Sequence, residues 1–184
     1  MTQETKAIYT DGGLLSKNPS DVGGMWAWCG VDRIDGRPLV KGHLAGGVNV
    51  HAEQTEFESG VVLATPSKLI TNNIVEMLAV IKALEFQPEG WSGIVYSDSE
   101  VTLGRLLHGH ALRGLPANAI ERFHKALARV GEIKGVLLQG HPTKKDLLEG
   151  FGKKRGFPVS KWNVWVDAEC NRLAEQFKAT KAGE

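Results

Sequence analysis

The stretch TNNIVEMLAVIKALEFQPEGWSGIVYSDSEV, residues 71–101, decides the fold of this chain. Its first half has apolar side chains at the i, i+3, i+4 and i+7 spacing of one helix face, at Met77, Val80, Ile81 and Leu84. This pattern stops before Pro88, and Thr71 or Asn72 can cap the first turn. The stretch therefore predicts a helix, and the apolar residues 94–96 that follow predict a strand ending at Asp98.

Upstream of this stretch, three segments have the composition of strands. They are residues 7–10, 25–31 and 39–43, with Asp35-Gly36 as a turn between the second and the third. Short connections of this kind predict an antiparallel meander. Residues 45–68 have scattered charges and one short apolar run, so we interpret them as an insertion that packs a strand or a loop.

Downstream, helical patterns at 101–107 and 120–130 precede a fifth predicted strand at 136–138. A last helix has one apolar face, formed by Val166, Cys170, Leu173, Ala174 and Phe177. Strand–helix–strand crossovers that follow a meander predict an α/β fold, with a five-stranded mixed sheet flanked by helices. We expect a single domain over residues 1–184.

The composition limits the classes of protein to which this chain can belong. The 184 residues are 42% hydrophobic and 23% charged, as in ordinary globular proteins, and the net charge of +1 gives no global attraction for nucleic acid. Cys29 and Cys170 fit no metal-ligand spacing and are interpreted as buried thiols in a reducing compartment. No apolar run is long enough for a signal peptide or a membrane helix. We expect a cytoplasmic protein with no membrane partner and no obligate protein partner.

Three acidic residues recur at comparable places in the predicted elements. Asp11 ends the first strand, Asp98 ends the fourth, and Glu76 lies one turn into the helix between them. An Asp after a strand is usually a turn former or a helix cap, but the ends of neighbouring strands converge in space. Clustered carboxylates repel one another, and a divalent cation such as Mg²⁺ relieves that repulsion. The pattern thus predicts a metal-binding carboxylate cluster.

The motifs IYTDGG, TNNIVEMLAVIKALE and YSDSEV resemble the first three motifs of type 1 ribonuclease H. GGMWAW fits that family's second strand, and Asn18-Pro19 fits its first loop. The resemblance covers nearly the whole chain and implies a ribonuclease H-like fold. It also implies endonucleolytic hydrolysis of the RNA strand of RNA–DNA hybrids with two Mg²⁺ ions, for which Mn²⁺ substitutes. Asp11, Glu76 and Asp98 match the metal-binding carboxylates.

The resemblance also implies substrate-binding residues, namely Asn18, Thr71, Asn72 and Asn73. Asn72 and Asn73 share a helix face with Glu76, and the matching asparagines of the family contact the minor groove of the hybrid. Such contacts suit a protein that distinguishes RNA from DNA by the 2′-hydroxyl groups. The alternative is that both asparagines only cap the helix.

A fourth carboxylate is expected on the last helix, where two registers compete. Asn163 and Asp167 have the Asn-to-Asp spacing of the family, whereas the Leu173-Ala174 pair would place Asn171 at the metal position. The two candidates lie on one helix face, about 6 Å apart along the axis. Because Asn171 offers only a neutral oxygen, we predict that Asp167 is the ligand.

His141, in QGHPTKK, resembles the loop histidine of the family, which moves a proton or helps the product to leave. The alternative is a histidine that is simply solvated. Many bacterial members carry a basic helical handle, but residues 108–123 here have few cations and no tryptophan. The loop 141–162 is basic, with Lys144, Lys145, Lys153, Lys154 and Arg155 among its cations. They either replace the handle or are merely solvated.

Two other functions compete with the ribonuclease. One is a DNA nuclease of related fold, such as an exonuclease or a junction resolvase. An exonuclease would carry an acidic residue where Gly13 stands, and an integrase-like enzyme would place its Glu on a late helix. A non-catalytic nucleic-acid-binding module gains nothing from four carboxylates, because phosphates repel them. The sequence therefore favours the ribonuclease.

Overall fold

The computed structural model describes residues 4–33, 37–39, 43–45, 52–109, 112–150, 152 and 157–183. The strands are β1 Ala7–Leu14, β2 Gly23–Val31, β3 Arg37–Leu39, β4 His43–Ala45, β5 Gln54–Leu63, β6 Gly93–Ser97 and β7 Ile133–Leu137. The helices are α1 Asn72–Phe86, α2 Glu100–His108, α3 Ala117–Arg129, α4 Lys144–Glu149 and α5 Lys161–Ala182. No helix in these ranges is both long and apolar enough to span a membrane.

The main sheet has five strands in the order β5-β2-β1-β6-β7. β1 pairs antiparallel with β2, and β2 pairs antiparallel with β5. On the other side, β1 pairs parallel with β6, and β6 pairs parallel with β7. The predicted mixed sheet, a meander continued by crossovers, is confirmed.

The identity of the third meander strand differs from the prediction. Residues 39–43 do not join the main sheet: β3 and β4 pair only with each other, and residues 40–42 and the predicted turn Asp35-Gly36 lie outside the described residues. β5 takes the third place and lies within the predicted insertion 45–68. Because β5 is an edge strand, both of its faces are partly exposed, and charged residues hide the alternation that marks a half-buried strand.

Helices cover both faces of the sheet, and the side chains of β1 and β2 alternate between them. Ile8, Trp26 and Trp28 pack on one face with α1, α2 and α3. Tyr9 and Cys29 pack on the other face with α5. This alternation follows from the two-residue repeat of a strand, and it gives the sheet two separate apolar layers.

The predicted last helix is present and lies on the second face. Val166, Cys170 and Ala174 are buried there, while Leu173 is half-buried. Cys29 and Cys170 are both free and buried, as predicted. The loop 141–162 contains a helix that the sequence analysis missed, α4, which a capping box between Thr143 and Asp146 begins.

Candidate functional site

Asp11 lies inside β1 rather than at its end. The strand continues to Leu14 through pairing with β2, whereas its parallel pairing with β6 ends at Tyr9 and Tyr96. Asp11 therefore stands where the neighbouring strand stops, and Asp98 follows the last residue of that strand, Ser97. The convergence of the two aspartates comes from the parallel β1–β6 pair, because the carboxyl ends of such strands meet at one edge.

Glu76 reaches the same place because α1 packs directly on β1. A Cβ atom at Gly12 would lie 2.7 Å from the backbone nitrogen of Glu76 and 2.7 Å from the carbonyl carbon of Val75. Only glycine allows so close an approach of strand and helix. Glu76 is 8% exposed and faces the sheet edge that carries Asp11.

The opposite wall of the site is formed by α5 and the segment after β7. A cleft of about 230 Å³ is lined by Asp98, His141, Pro142, Asn163, Val164 and Asp167. Asn163 is buried and its Nδ2 donates to Oδ2 of Asp98 at 3.5 Å. His141 is exposed and has a left-handed backbone with a φ of 48°, which is unusual for a residue with a side chain.

The four carboxylates influence one another strongly. Burial, together with the negative charges of Asp98, Asp167 and Glu76, raises the pKa of Asp11 to about 8, although the Gly12 N–H donates to Asp11 Oδ1 at 2.8 Å. Burial also raises the pKa of Glu76 and of Asp98, against the hydrogen bonds that each accepts. Within the described residues, none of the four forms an ion pair with a lysine or an arginine. The site therefore holds an excess of negative charge.

The chemistry of this donor set fits a hard divalent cation, because all four groups offer oxygen and their repulsion is uncompensated. In the ranges that the structure describes, however, no three Asp, Glu, His or Cys side chains converge into a closed set of ligands. The four carboxylates lie in one region of the molecule, but they do not form a closed metal-binding cage. Electrostatics, rather than a preformed cage, is thus the property of this site that favours a cation.

On the last helix, the structure places Asp167 on the site and Asn171 away from it. Asp167 lines the cleft and its charge raises the pKa of both Asp11 and Asp98. Asn171 is exposed, and its Nδ2 donates to Asp167 Oδ2 at 3.5 Å. Asp167 therefore faces the cleft, and its role as a metal ligand stays a prediction.

Comparisons with protein-family models and with curated proteins give no match. Among solved structures, the chain is similar to the N-terminal RNase H domain of rv2228c from Mycobacterium tuberculosis. The two are 14% identical with a TM-score of 0.53, and the match covers 98% of this chain and 100% of that one. The fold is that of ribonuclease H.

Two further structures with this fold are matched over shorter lengths. RNase H1 from Halobacterium salinarum is 16% identical, with a TM-score of 0.45, over 71% of this chain and 84% of that one. LC11-RNase H1, solved in complex with an RNA/DNA hybrid, is 23% identical, with a TM-score of 0.48. The match covers 73% of this chain and 85% of that one.

Two of the four predicted substrate residues, Thr71 and Asn72, lie in the first turn of α1 near Glu76. Thr71 caps α1, accepting from the Ile74 N–H, and Asn72 donates to Glu76 Oε1 at 2.5 Å. Asn73 and Asn18 are exposed. Thr71, rather than Asn72 or Asn73, is therefore the residue that caps the helix. The role of the four residues in binding stays a prediction.

Sequence reasoning missed two hydroxyl groups of the site. Thr102 is fully buried and donates to Glu76 Oε2 at 3.1 Å, and the Ser99 hydroxyl is a further partner of the same carboxylate. The only local signal was a Ser one residue after Asp98 followed by a Thr three residues later. That pattern reads equally well as an ordinary helix N-cap.

Proposed function

We propose that the protein is an endonuclease that hydrolyses the RNA strand of RNA–DNA hybrids with the help of two Mg²⁺ ions. The observation that carries the proposal is the group of four carboxylates, Asp11, Glu76, Asp98 and Asp167, at one edge of a ribonuclease H fold. Crowded carboxylates repel one another at a cost in stability, and bound cations would relieve that repulsion. The motifs around three of these residues support the same chemistry.

In this proposal, the carboxylates of Asp11, Glu76, Asp98 and Asp167 hold the cations. Bound divalent cations would supply an activated water and would stabilise the 3′ oxygen that leaves the phosphorus. The chain contributes orientation: Gly12 fixes the approach of α1 to β1, and Asn163 holds Asp98 by a hydrogen bond. Asp11, Glu76 and Asp167 are carried by β1, α1 and α5. These packed elements keep the acidic groups in place between turnovers.

His141 is placed to move protons at the open side of the site. It shares the cleft with Asp98 and Asp167, and its charge lowers the pKa of Asp98. In this proposal, the exposed imidazole of His141 gives a proton to the leaving 3′ oxygen or takes one up as product departs. The exposed side chains of Asn18 and Asn73 would contact the hybrid.

The test is a cleavage assay on three duplexes of one sequence: RNA–DNA, DNA–DNA and RNA–RNA. Each strand carries its own end label, and each reaction is run with Mg²⁺ and with excess chelator. We expect internal cuts in the RNA strand of the hybrid alone, abolished by chelator and by Asp98→Asn. Cleavage of DNA–DNA would assign a DNA nuclease instead. Hybrid binding without any cleavage would assign a non-catalytic binding module.

A further inference from the structure

The side chain of Glu76 is held at both of its oxygens. Oε1 accepts from Asn72 Nδ2 at 2.5 Å, and Oε2 accepts from Thr102 Oγ1 at 3.1 Å. The Ser99 hydroxyl also favours the charged form of this carboxylate and so lowers its pKa. Asn72 belongs to the same helix as Glu76, but Ser99 and Thr102 come from the first turn of α2. The orientation of Glu76 therefore depends on a second element.

That second element begins at another acidic residue of the site. Ser99 follows Asp98 directly and caps α2, where its hydroxyl accepts from the Thr102 N–H at 3.3 Å. The turn that carries Asp98 out of β6 thus extends two hydroxyl groups towards α1. Any shift of this turn would move the Asp98 and Glu76 carboxylates together.

The hydroxyl of Thr102 makes a hydrogen bond that is unusual for a buried residue of a helix. A threonine in a helix commonly bonds back to the carbonyl four residues earlier, and a fully buried helix position usually holds an apolar side chain. Thr102 is 0% exposed, and its hydroxyl donates to Glu76 instead. Valine has the same shape without the hydroxyl, so packing alone does not require threonine here.

We propose that Ser99 and Thr102 are positioning residues that orient the Glu76 carboxylate and thereby set the affinity of the site for divalent cations. The inference rests on the proposed function for its cations. Groups that hydrogen-bond to a metal ligand typically change metal affinity or activity by roughly 10- to 100-fold when they are removed. The Thr102 hydroxyl should have the larger effect, because it is fully buried and water has no access to replace it.

The experiment compares Thr102→Val with Thr102→Ser in the full chain. Binding of Ca²⁺ and of Mg²⁺ is measured by titration calorimetry, the free energy of unfolding by denaturant without metal, and hybrid cleavage as a function of Mg²⁺ concentration. Thr180→Val is the matched control, because the Thr180 hydroxyl donates to the Gln176 carbonyl of its own helix rather than to a carboxylate. Ser99→Ala provides a second removal of a hydroxyl.

We expect Thr102→Val to weaken cation binding by about 10-fold or more and to shift the Mg²⁺ dependence of cleavage equally, whereas Thr102→Ser restores both. Wild-type cation affinity in Thr102→Val would overturn the proposal, as would a loss in Thr180→Val of the same size. If Thr102→Val does not fold, weakened binding in folded Ser99→Ala supports the proposal and unchanged binding overturns it.

The two proposals fail in different ways. A wild-type chain that binds Ca²⁺ but cuts no hybrid refutes the ribonuclease, while weaker Ca²⁺ binding by Thr102→Val still supports the positioning role. A wild-type chain that cuts hybrid, with Thr102→Val equal to it in cation affinity and Mg²⁺ dependence, refutes the positioning role alone.

Discussion

The candidate site has a buried half and an open half, which are built in different ways. In the buried half, Asp11 and Glu76 lie at the contact of β1 with α1, and burial raises the pKa of both carboxyl groups. In the open half, Asp167 and His141 line a cleft between α5 and the segment after β7. Asp98 belongs to both, since it lines the cleft and its charge raises the pKa of Asp11.

This difference separates two tasks that one site has to perform. Buried carboxylates with fixed hydrogen-bond partners provide a charge that only a tightly bound cation relieves. Groups at an open cleft can meet a large substrate without first losing contacts inside the protein. We therefore expect substitutions in the buried half to abolish activity and those in the open half to reduce it.

The largest expected effect is that of Asp11→Asn and of Asp98→Asn. Each should lower hybrid cleavage by several orders of magnitude while the protein stays folded, because each removes a charged oxygen that the cations need. Activity is measured with the labelled hybrid, and folding by circular dichroism and denaturant titration. Near-wild-type turnover by either variant would remove that residue from the metal site.

Asp167→Asn tests whether the open half contributes to cation binding. We expect a loss of orders of magnitude in the Mg²⁺-dependent rate, whereas the matched change one turn away, Asn171→Ala, should cost little. Both rates are measured across a range of Mg²⁺ concentrations. If Asp167→Asn were tolerated and Asn171→Asp raised activity, the register of the last helix would be wrong by one turn.

His141→Ala should affect turnover less than the carboxylate variants. Loss of proton transfer typically costs about 100-fold or more, so we expect kcat to fall by that order with little change in KM. The pH–rate profile should also change, because a group that transfers protons is lost. His124→Ala is the control, since His124 is exposed on α3. A wild-type profile in His141→Ala would leave the histidine merely solvated.

A triple substitution tests whether the basic loop 141–162 belongs to the open half of the site. Lys153, Lys154 and Arg155 lie outside the described residues. Replacing all three by glutamine should weaken hybrid binding and lower the slope of log K against log salt by roughly two to three units. Binding is measured by fluorescence anisotropy at several salt concentrations. Lys178→Gln, on α5, is a control for the loss of a surface charge, and an unchanged slope in the triple variant would show a solvated loop.

The smallest expected effect is a pH-dependent change in stability at Asp11. Its pKa is about 8 in the folded chain and ordinary in the unfolded chain, so the folded state binds the proton more tightly. Stability from this group is full below pH 4 and is lost as the pH rises towards 8. Without metal, Asp11→Asn should therefore match the wild type near pH 4.

At pH 8, Asp11→Asn should be more stable than the wild type by at least about 1 kcal/mol, since one pKa unit corresponds to about 1.4 kcal/mol. Urea titrations at both pH values measure the difference. Added Mg²⁺ should narrow it by stabilising only the wild type. A constant difference at all pH values would mean that the Asp11 pKa is not raised.

Much of the fold could be predicted from local patterns. The apolar stripe of Met77, Val80, Ile81 and Leu84 predicted α1, because helix periodicity is a property of neighbouring residues. The strand before Asp98 was predicted in the same way. The third meander strand could not be predicted in this way, because β5 is recognised by its pairing with β2, and that pairing joins residues 23 to 40 positions apart.

Within the candidate site, too, local patterns predicted some features and tertiary packing decided others. The sequence alone determined which acidic residues follow strands or lie on helix faces, and so it singled out Asp11, Glu76 and Asp98. Tertiary structure decided that Asp167 rather than Asn171 lines the cleft, because the packing of α5 on the sheet sets the rotation of that helix. It also decided that the Thr102 hydroxyl meets Glu76. Such contacts depend on how two elements pack against each other, which local spacing does not encode.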